Sequence, residues 1–187
     1  MKLVVGLGNL EERYDHTRHN VGFHWLDGLA NLHGLRFSDN KKFFGLTCKL
    51  SESRGDVWLL KPGVYMNNSG RSVGAIASFF NFSPSEILIV HDELDLAPGV
   101  VKIKQGGGSA GHNGLKDIIR QLGSPNFLRI RLGIGRPPSN NHGVANYVLK
   151  KPSPEDARLI NESIEASLEV FPRLLSGDIE NAKLELH

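Results

Sequence analysis

Met1-Lys2-Leu3-Val4-Val5-Gly6-Leu7-Gly8 is the stretch that decides the fold class. The run from Lys2 to Val5 is short, Val-rich and closed by glycines, which suits a parallel strand buried on both faces rather than a half-exposed one. A helix follows it. Val21, Trp25, Leu29 and Leu32 recur at spacings of four, four and three after Asn20, and Gly34 supplies the stop. A buried strand followed by a helix is the opening of an α/β fold.

Moving outward, Phe44, Leu46, Cys48 and Leu50, then Val57 and Leu59, alternate on either side of Ser53-Arg54-Gly55-Asp56, which predicts an antiparallel hairpin. Met66 to Phe80 is helical by its stripe of Val73, Ile76, Ala77 and Phe80. Ile87 to Val90 is a second buried strand that stops at His91-Asp92, where a carboxylate at a strand's C-terminal end often faces a site. Val101 to Lys104 reads as a strand, followed by a glycine-rich segment, Gly106 to Gly111, and a helix from Asn113 to Leu122. Leu128, Ile130 and Leu132 alternate with Arg129 and Arg131, so this strand is expected to present guanidinium groups on one face. Ser153-Pro154-Glu155-Asp156 starts a last helix, and Pro172 is expected to bend or end it. The sum is one α/β domain spanning residues 1–187, a twisted mixed, mostly parallel β-sheet flanked by helices.

Composition fits that reading. The chain has 187 residues, 40% hydrophobic and 22% charged, and at this length folding buries roughly 70% of the surface, so the core needs no staple. Cys48 is the single cysteine, which excludes an intramolecular disulfide and a four-thiolate metal site. The N-terminus is too short for a signal h-region and no stretch reaches the roughly 20 apolar residues of a membrane span, so a soluble cytoplasmic protein is expected. Charge is unevenly placed: residues 1–152 carry 19 Lys/Arg against 12 Asp/Glu, and residues 153–187 carry 3 against 8. Residues 99–152 hold nine cations and one anion, Asp117. Such a segment could meet a polyanion, although a solvated basic face gives the same pattern.

Several motifs imitate familiar chemistry. Gly6-Leu7-Gly8 opens a dinucleotide-type pattern whose third glycine would stand where Glu11 does, so strand-end packing is the reading for these glycines. Gly107-Gly108-Ser109-Ala110-Gly111 fits the G-x-S-x-G of a serine esterase, but with further glycines around it a mobile lid is the better reading. Its histidine partner would have to be His142 or His187. His91-Asp92-Glu93-Leu94-Asp95 gathers metal-type ligands that alternate rather than converge, so Asp92 is read as orienting a histidine. Asn9, the turn Met66-Asn67-Asn68-Ser69-Gly70 and His112-Asn113-Gly114 offer neutral carboxamides suited to a peptide backbone or a developing oxyanion; for Asn68 and Asn113, helix capping is the competing role.

Taken together, Gly6-Leu7-Gly8-Asn9 with Tyr14, Thr17-Arg18-His19-Asn20-Val21-Gly22, Met66-Asn67-Asn68-Ser69-Gly70, His91 to Gly99, Gly106 to Lys116 and Arg131 to Pro137 resemble the bacterial-type peptidyl-tRNA hydrolase family, in order from about residue 3 to 150. The resemblance implies a monomer that hydrolyses the ester between a peptide and the 3′ ribose of tRNA, without metal or organic cofactor. It implies His19 as the base that activates water and Asp92 as its orienting partner. It places Asn9, Tyr14, Met66, Asn67, His112 and Asn113 in the substrate cleft, and Lys102, Lys104 and Arg131 on tRNA phosphates.

Departures from the family pattern accompany the match. Leu10-Glu11 stands where Pro-Gly usually follows the first asparagine, Val64 replaces a common hydroxyl residue, and Pro138 to His142 lacks a lysine that Arg136 would have to replace. Two other classes remain on the sequence alone: an RNA-binding module of the same fold without hydrolysis, and a serine esterase using Ser109.

Overall fold

The computed structural model describes residues 1–138 and 143–187. Its strands are β1 (Leu3–Gly6), β2 (Ser38–Asn40), β3 (Gly45–Leu50), β4 (Val57–Pro62), β5 (Ile87–Glu93), β6 (Val101–Gln105) and β7 (Leu128–Gly133). The helices are α1 (Val21–Leu32), α2 (Ser69–Phe80), α3 (Asn113–Leu122), α4 (Val144–Val148), α5 (Pro154–Leu175) and α6 (Ile179–Leu186). One seven-stranded sheet runs in the order β2-β3-β4-β1-β5-β7-β6. Its four central strands, β4, β1, β5 and β7, are parallel, and antiparallel pairs close both sides.

β1 is buried as its composition demands: Leu3, Val4 and Val5 are each 0% exposed. Alternate side chains feed two cores. On one face Val4, Leu59, Val90 and Ile130 pack under α1, α5 and α6. On the other, Leu3, Val5, Ile89 and Phe127 pack under α2 and α3. Among the described residues no helix is long and apolar enough to cross a membrane.

Two contacts set the helix that carries the start of the site. A Cβ on Gly22 would stand 2.5 Å from Leu7 N and Val90 O, so only glycine lets α1 lie directly on the β1 and β5 backbones. Trp25, fully buried, meets Phe171 edge-on at 5.3 Å between centroids and donates its indole N–H to Ser167 Oγ at 2.9 Å. Truncating such a side chain costs roughly 3–5 kcal/mol, so α1 is firmly placed. Across the sheet, Asp117 of α3 accepts the Gly70 N–H at 2.8 Å. That carboxylate caps the first turn of α2 and favours its positive end.

The structure departs from the sequence pattern in four places. β5 does not stop at His91: its ladder with β7 continues through Asp92 and Glu93, because backbone pairing carries on after the apolar run ends. β2, reading Ser-Asp-Asn, has no apolar alternation and is held only by β3. α5 continues past Pro172 to Leu175; a proline this near the helix end removes one N–H and leaves little helix to disrupt. The cap of α3 is His112, whose side chain accepts from Leu115 N, and Asn113 is the first helical residue.

Candidate active site

β1 lies between β4 and β5, so the chain leaves β1 toward one side of the sheet and later returns on the other. Loops diverge at such a switch point and leave a crevice beyond the strands' C-terminal ends. A cleft of about 620 Å³ lies there. Asn9, Met66 and Asn67, Asp92, and His112 with Asn113 enter it from the ends of β1, β4 and β5 and the start of α3. His19 and Tyr14 enter from the turns that precede α1. Eight of the eight residues expected at the cleft or its catalytic pair therefore line one wall-to-wall space.

Asp92 is its hub. One carboxylate oxygen, Oδ2, lies 2.8 Å from His19 Nδ1, and the other, Oδ1, lies 2.7 Å from His112 Nε2. Burial alone would raise the Asp92 pKa, but the charges and hydrogen bonds of the two imidazoles hold it well below the usual carboxylate range. An ionised carboxylate only accepts, so both facing ring nitrogens carry hydrogen. His19 is thereby held as the tautomer whose Nε2 is free to accept a proton. Burial draws the His19 pKa down, and the charge and hydrogen bond of Asp92 more than offset it, leaving it above the ordinary 6.5. His112 Nδ1 accepts the Leu115 N–H at 3.3 Å, so this ring serves the site and the helix cap together.

Behind it stands His91, 1% exposed, donating Nδ1–H to the Asp92 carbonyl at 2.8 Å. Burial, reinforced by His112, pushes its pKa down to about 3, so it remains neutral. The two rings meet edge-on with centroids 5.3 Å apart.

Asn9 is fixed from two directions. Its Oδ1 accepts the Met66 N–H at 3.0 Å, which leaves Nδ2 as the free donor. Asn20 grips the same residue's backbone, accepting Asn9 N–H at 2.8 Å and donating to Asn9 O at 2.9 Å. Leu10-Glu11 therefore does not leave the turn loose. Asn20 resembles a helix cap in sequence, but makes no side-chain cap to α1; its role was missed for that reason. Asn67, Asn68 and Asn113 are exposed within the cleft. Asn68 makes no cap bond either, which removes its expected structural role.

The cations divide. Lys102 and Lys104 project from β6, and Lys102 is the cross-strand partner of Arg131 on β7. None of these three lines the cleft; Arg131 lies on β7, next to β5, and the two lysines lie on the edge strand β6 beyond it. The expectation that β7 presents both guanidinium groups is corrected. Arg129 is buried, donating to the carbonyls of Gly107 and Gly108, and Arg131 is half-buried with its Nε 3.0 Å from Glu93. Arg136 is engaged by Asp95 at 2.6 Å. In the glycine-rich segment expected as a mobile lid, the carbonyls of Gly107 and Gly108 are held by Arg129.

Ser109 lies four residues before α3 and does not line the cleft, and among the described residues its hydroxyl bonds no histidine ring; His142 lies outside them. The metal-type cluster read at His91 to Asp95 gives way to His19, Asp92 and His112, whose ligand atoms lie within 4.8 Å of one another. A metal there would have to displace the two N–H groups that now bind Asp92. Tyr65, Leu94 and the α4 residues Val144 and Val148 also line the cleft and carried no signal in sequence beyond being apolar.

A family model described as peptidyl-tRNA hydrolase matches residues 3–187. The peptidyl-tRNA hydrolase of Delftia acidovorans is 49% identical over 187 residues, covering 100% of this chain and 90% of the relative. That of Neisseria meningitidis serogroup C is 50% identical, covering 100% and 97%. The crystal structure of the Acinetobacter baumannii peptidyl-tRNA hydrolase is similar with a TM-score of 0.95 and 40% identity, covering 100% of this chain and 94% of that one.

Proposed function

The chain belongs to the peptidyl-tRNA hydrolase family and hydrolyses peptidyl-tRNA, and from that premise we propose that His19 is its general base, with Asp92 holding the imidazole. The observation that carries the reading is the Asp92 carboxylate 2.8 Å from His19 Nδ1, which leaves Nε2 as the acceptor toward the cleft.

Water between Nε2 and the ester carbonyl gives up a proton to the imidazole as its oxygen attacks the acyl carbon. The tetrahedral oxyanion takes hydrogen bonds from cleft carboxamides, Asn9 Nδ2 foremost because its Oδ1 is already bound to Met66 N–H. Asn67 and Asn113 hold the peptide backbone, and Tyr14, Met66 and His112 shape the cleft. As the acyl–oxygen bond breaks, the imidazolium returns the proton to the departing 3′-oxygen, giving tRNA with a free 3′-hydroxyl and a peptide carboxylic acid that ionises by releasing its proton to solvent. Asp92 stabilises the imidazolium between the two transfers. A positioned base supplies roughly 10²–10⁴-fold and an oxyanion donor roughly 10²–10³-fold. Together these suit an ester without a covalent step, a metal or an organic cofactor.

Lys102, Lys104 and Arg131 hold phosphates beside the cleft, a contact that positions any tRNA and reads no base. The proposed enzyme works as a monomer in the cytoplasm, a reading supported by one chain carrying both the cleft and the cation-bearing strands. The test is an acid quench during steady-state hydrolysis of N-blocked aminoacyl-tRNA, with Ser109→Ala run in parallel. Unacylated protein and full turnover by the variant are expected; a trapped acyl-enzyme or an inactive Ser109→Ala would overturn direct attack by water.

A further inference from the structure

Arg129 is 3% exposed, and among the described residues no carboxylate pairs with it. Its Nη1 donates to Gly108 O at 2.7 Å and its Nη2 to Gly107 O, while its Nε is buried without a partner. Taking a guanidinium out of water is costly unless hydrogen bonds restore what hydration gave. Here the restoration is a two-pronged grip on successive carbonyls of the segment joining β6 to α3. A planar fork makes that grip and an ammonium cannot.

Each end of the gripped segment meets a part of the proposed machinery. Toward β6 it meets Lys104, the cross-strand partner of Arg129. A Cβ on Gly107 would stand 2.6 Å from Lys104 Cε and 2.7 Å from Nζ, so the lysine stem lies along the Gly107 backbone, which adopts φ +92°. Toward α3, Ala110 and Gly111 form cleft wall, and His112 follows with its N–H on Ser109 O at 2.9 Å and its ring on Asp92. The first residue of the segment is tied too, Gly106 N–H donating to Phe127 O at 3.0 Å.

We propose that Arg129 is a positioning residue that couples the hold of Lys104 on tRNA phosphate to the placement of His112 and the Gly111 wall in the cleft. The proposal rests on the assignment of Lys104 to the phosphate grip. With the fork in place, the segment between them moves as one body, so docking tRNA also sets the wall against the scissile ester. Without it, the lysine and the imidazole are joined by a segment, Gln105 to Gly111, in which Gly107 and Gly108 have lost the hold on their carbonyls.

The experiment is a double-mutant cycle of Lys104→Ala with Arg129→Lys, read as kcat and KM on N-blocked aminoacyl-tRNA, with amide exchange followed at residues 106–112. Lys104→Ala alone is expected to raise KM. Arg129→Lys, which keeps the charge and loses the fork, is expected to lower kcat roughly tenfold, to speed exchange in that segment only, and to leave Lys104→Ala costing at most about twofold more. Gly107→Ala, which disturbs the Lys104 contact and leaves Arg129 in place, is expected to show the same non-additivity should the arginine variant fold poorly. Additive losses alongside a clear Lys104 effect would overturn the coupling and leave the grip standing. An unchanged KM in Lys104→Ala would overturn both.

Discussion

Replacing Asp92 by Asn keeps the shape of the hub and removes what allows one side chain to serve two imidazoles. The carboxylate accepts from His19 Nδ1 at 2.8 Å and from His112 Nε2 at 2.7 Å. A carboxamide accepts at one position and donates at the other, so two ring N–H groups would face one acceptor and one NH₂. One histidine must change tautomer. If it is His19, Nε2 carries hydrogen and cannot take a proton from water. If it is His112, Nδ1 carries hydrogen and the cap on Leu115 N–H is lost. Loss of the base's tautomer is worth up to about 10⁴-fold in the Ser-His-Asp triad, and positioned base catalysis as a whole roughly 10²–10⁴-fold. We therefore expect kcat to fall by roughly 10²–10⁴-fold with KM changed less than about threefold, because the lysines on β6 are untouched.

The pH profile gives an independent reading of the same substitution. The base works as neutral imidazole, and Asp92 raises the His19 pKa, so in the parent activity declines as pH falls through a value above 6.5. The Asn variant keeps the burial and loses the charge, so its acid limb moves to lower pH. For His19, stability runs the opposite way from activity. His19, raised, contributes stability that is full below 6.5 and is lost as pH rises through its folded value. Asp92, depressed, contributes above about 3.8 and loses its contribution as pH falls through its lowered value. The advantage of the parent over the variant is thus largest between about 3.8 and 6.5. Hydrolysis of N-blocked aminoacyl-tRNA across pH, with urea melts in the same buffers, checks both. A kcat within about twofold of the parent, or an unmoved acid limb, would refute the reasoning.

Asn20→Ala removes the partners of a buried N–H and a buried carbonyl on Asn9. With each orphaned group costing roughly 1–3 kcal/mol, both the denaturation midpoint and kcat/KM should fall; a variant as stable and active as the parent would show that Asn9 is held by other means. Lys102→Ala should weaken binding to every tRNA alike and flatten the dependence of log K on log salt by about 0.7–0.9. A loss confined to one tRNA sequence would contradict phosphate contact.

Local composition carried much of this protein into view. β1 and the β3–β4 hairpin follow from apolar runs and alternation, and the cap Ser153 with Pro154 announces α5. The residues alone pointed to Asp92 at a strand end and to the carboxamide-bearing turns, and the full set of cleft residues followed from the family resemblance of their blocks. What stayed hidden depends on partners distant in sequence. Arg129 alternates like an exposed residue, and the carbonyls of Gly107 and Gly108 that accept from its buried guanidinium are far from it in sequence. Asn20 looks like a cap until Asn9 is seen beside it. The end of β5 is set by pairing with β7, not by its own side chains. Likewise, His112 could be placed in the cleft from its motif, but its share of Asp92 with His19 follows from three elements meeting.

The central claim is that His19 is the group that takes the proton from water, and the measurement that meets it most directly is turnover by His19→Ala beside tRNA affinity for the same protein. The account predicts that hydrolysis of N-blocked aminoacyl-tRNA drops by roughly 10²–10⁴-fold while tRNA binding is retained. Hydrolysis at the parent rate, or affinity lost in step with activity, would contradict it.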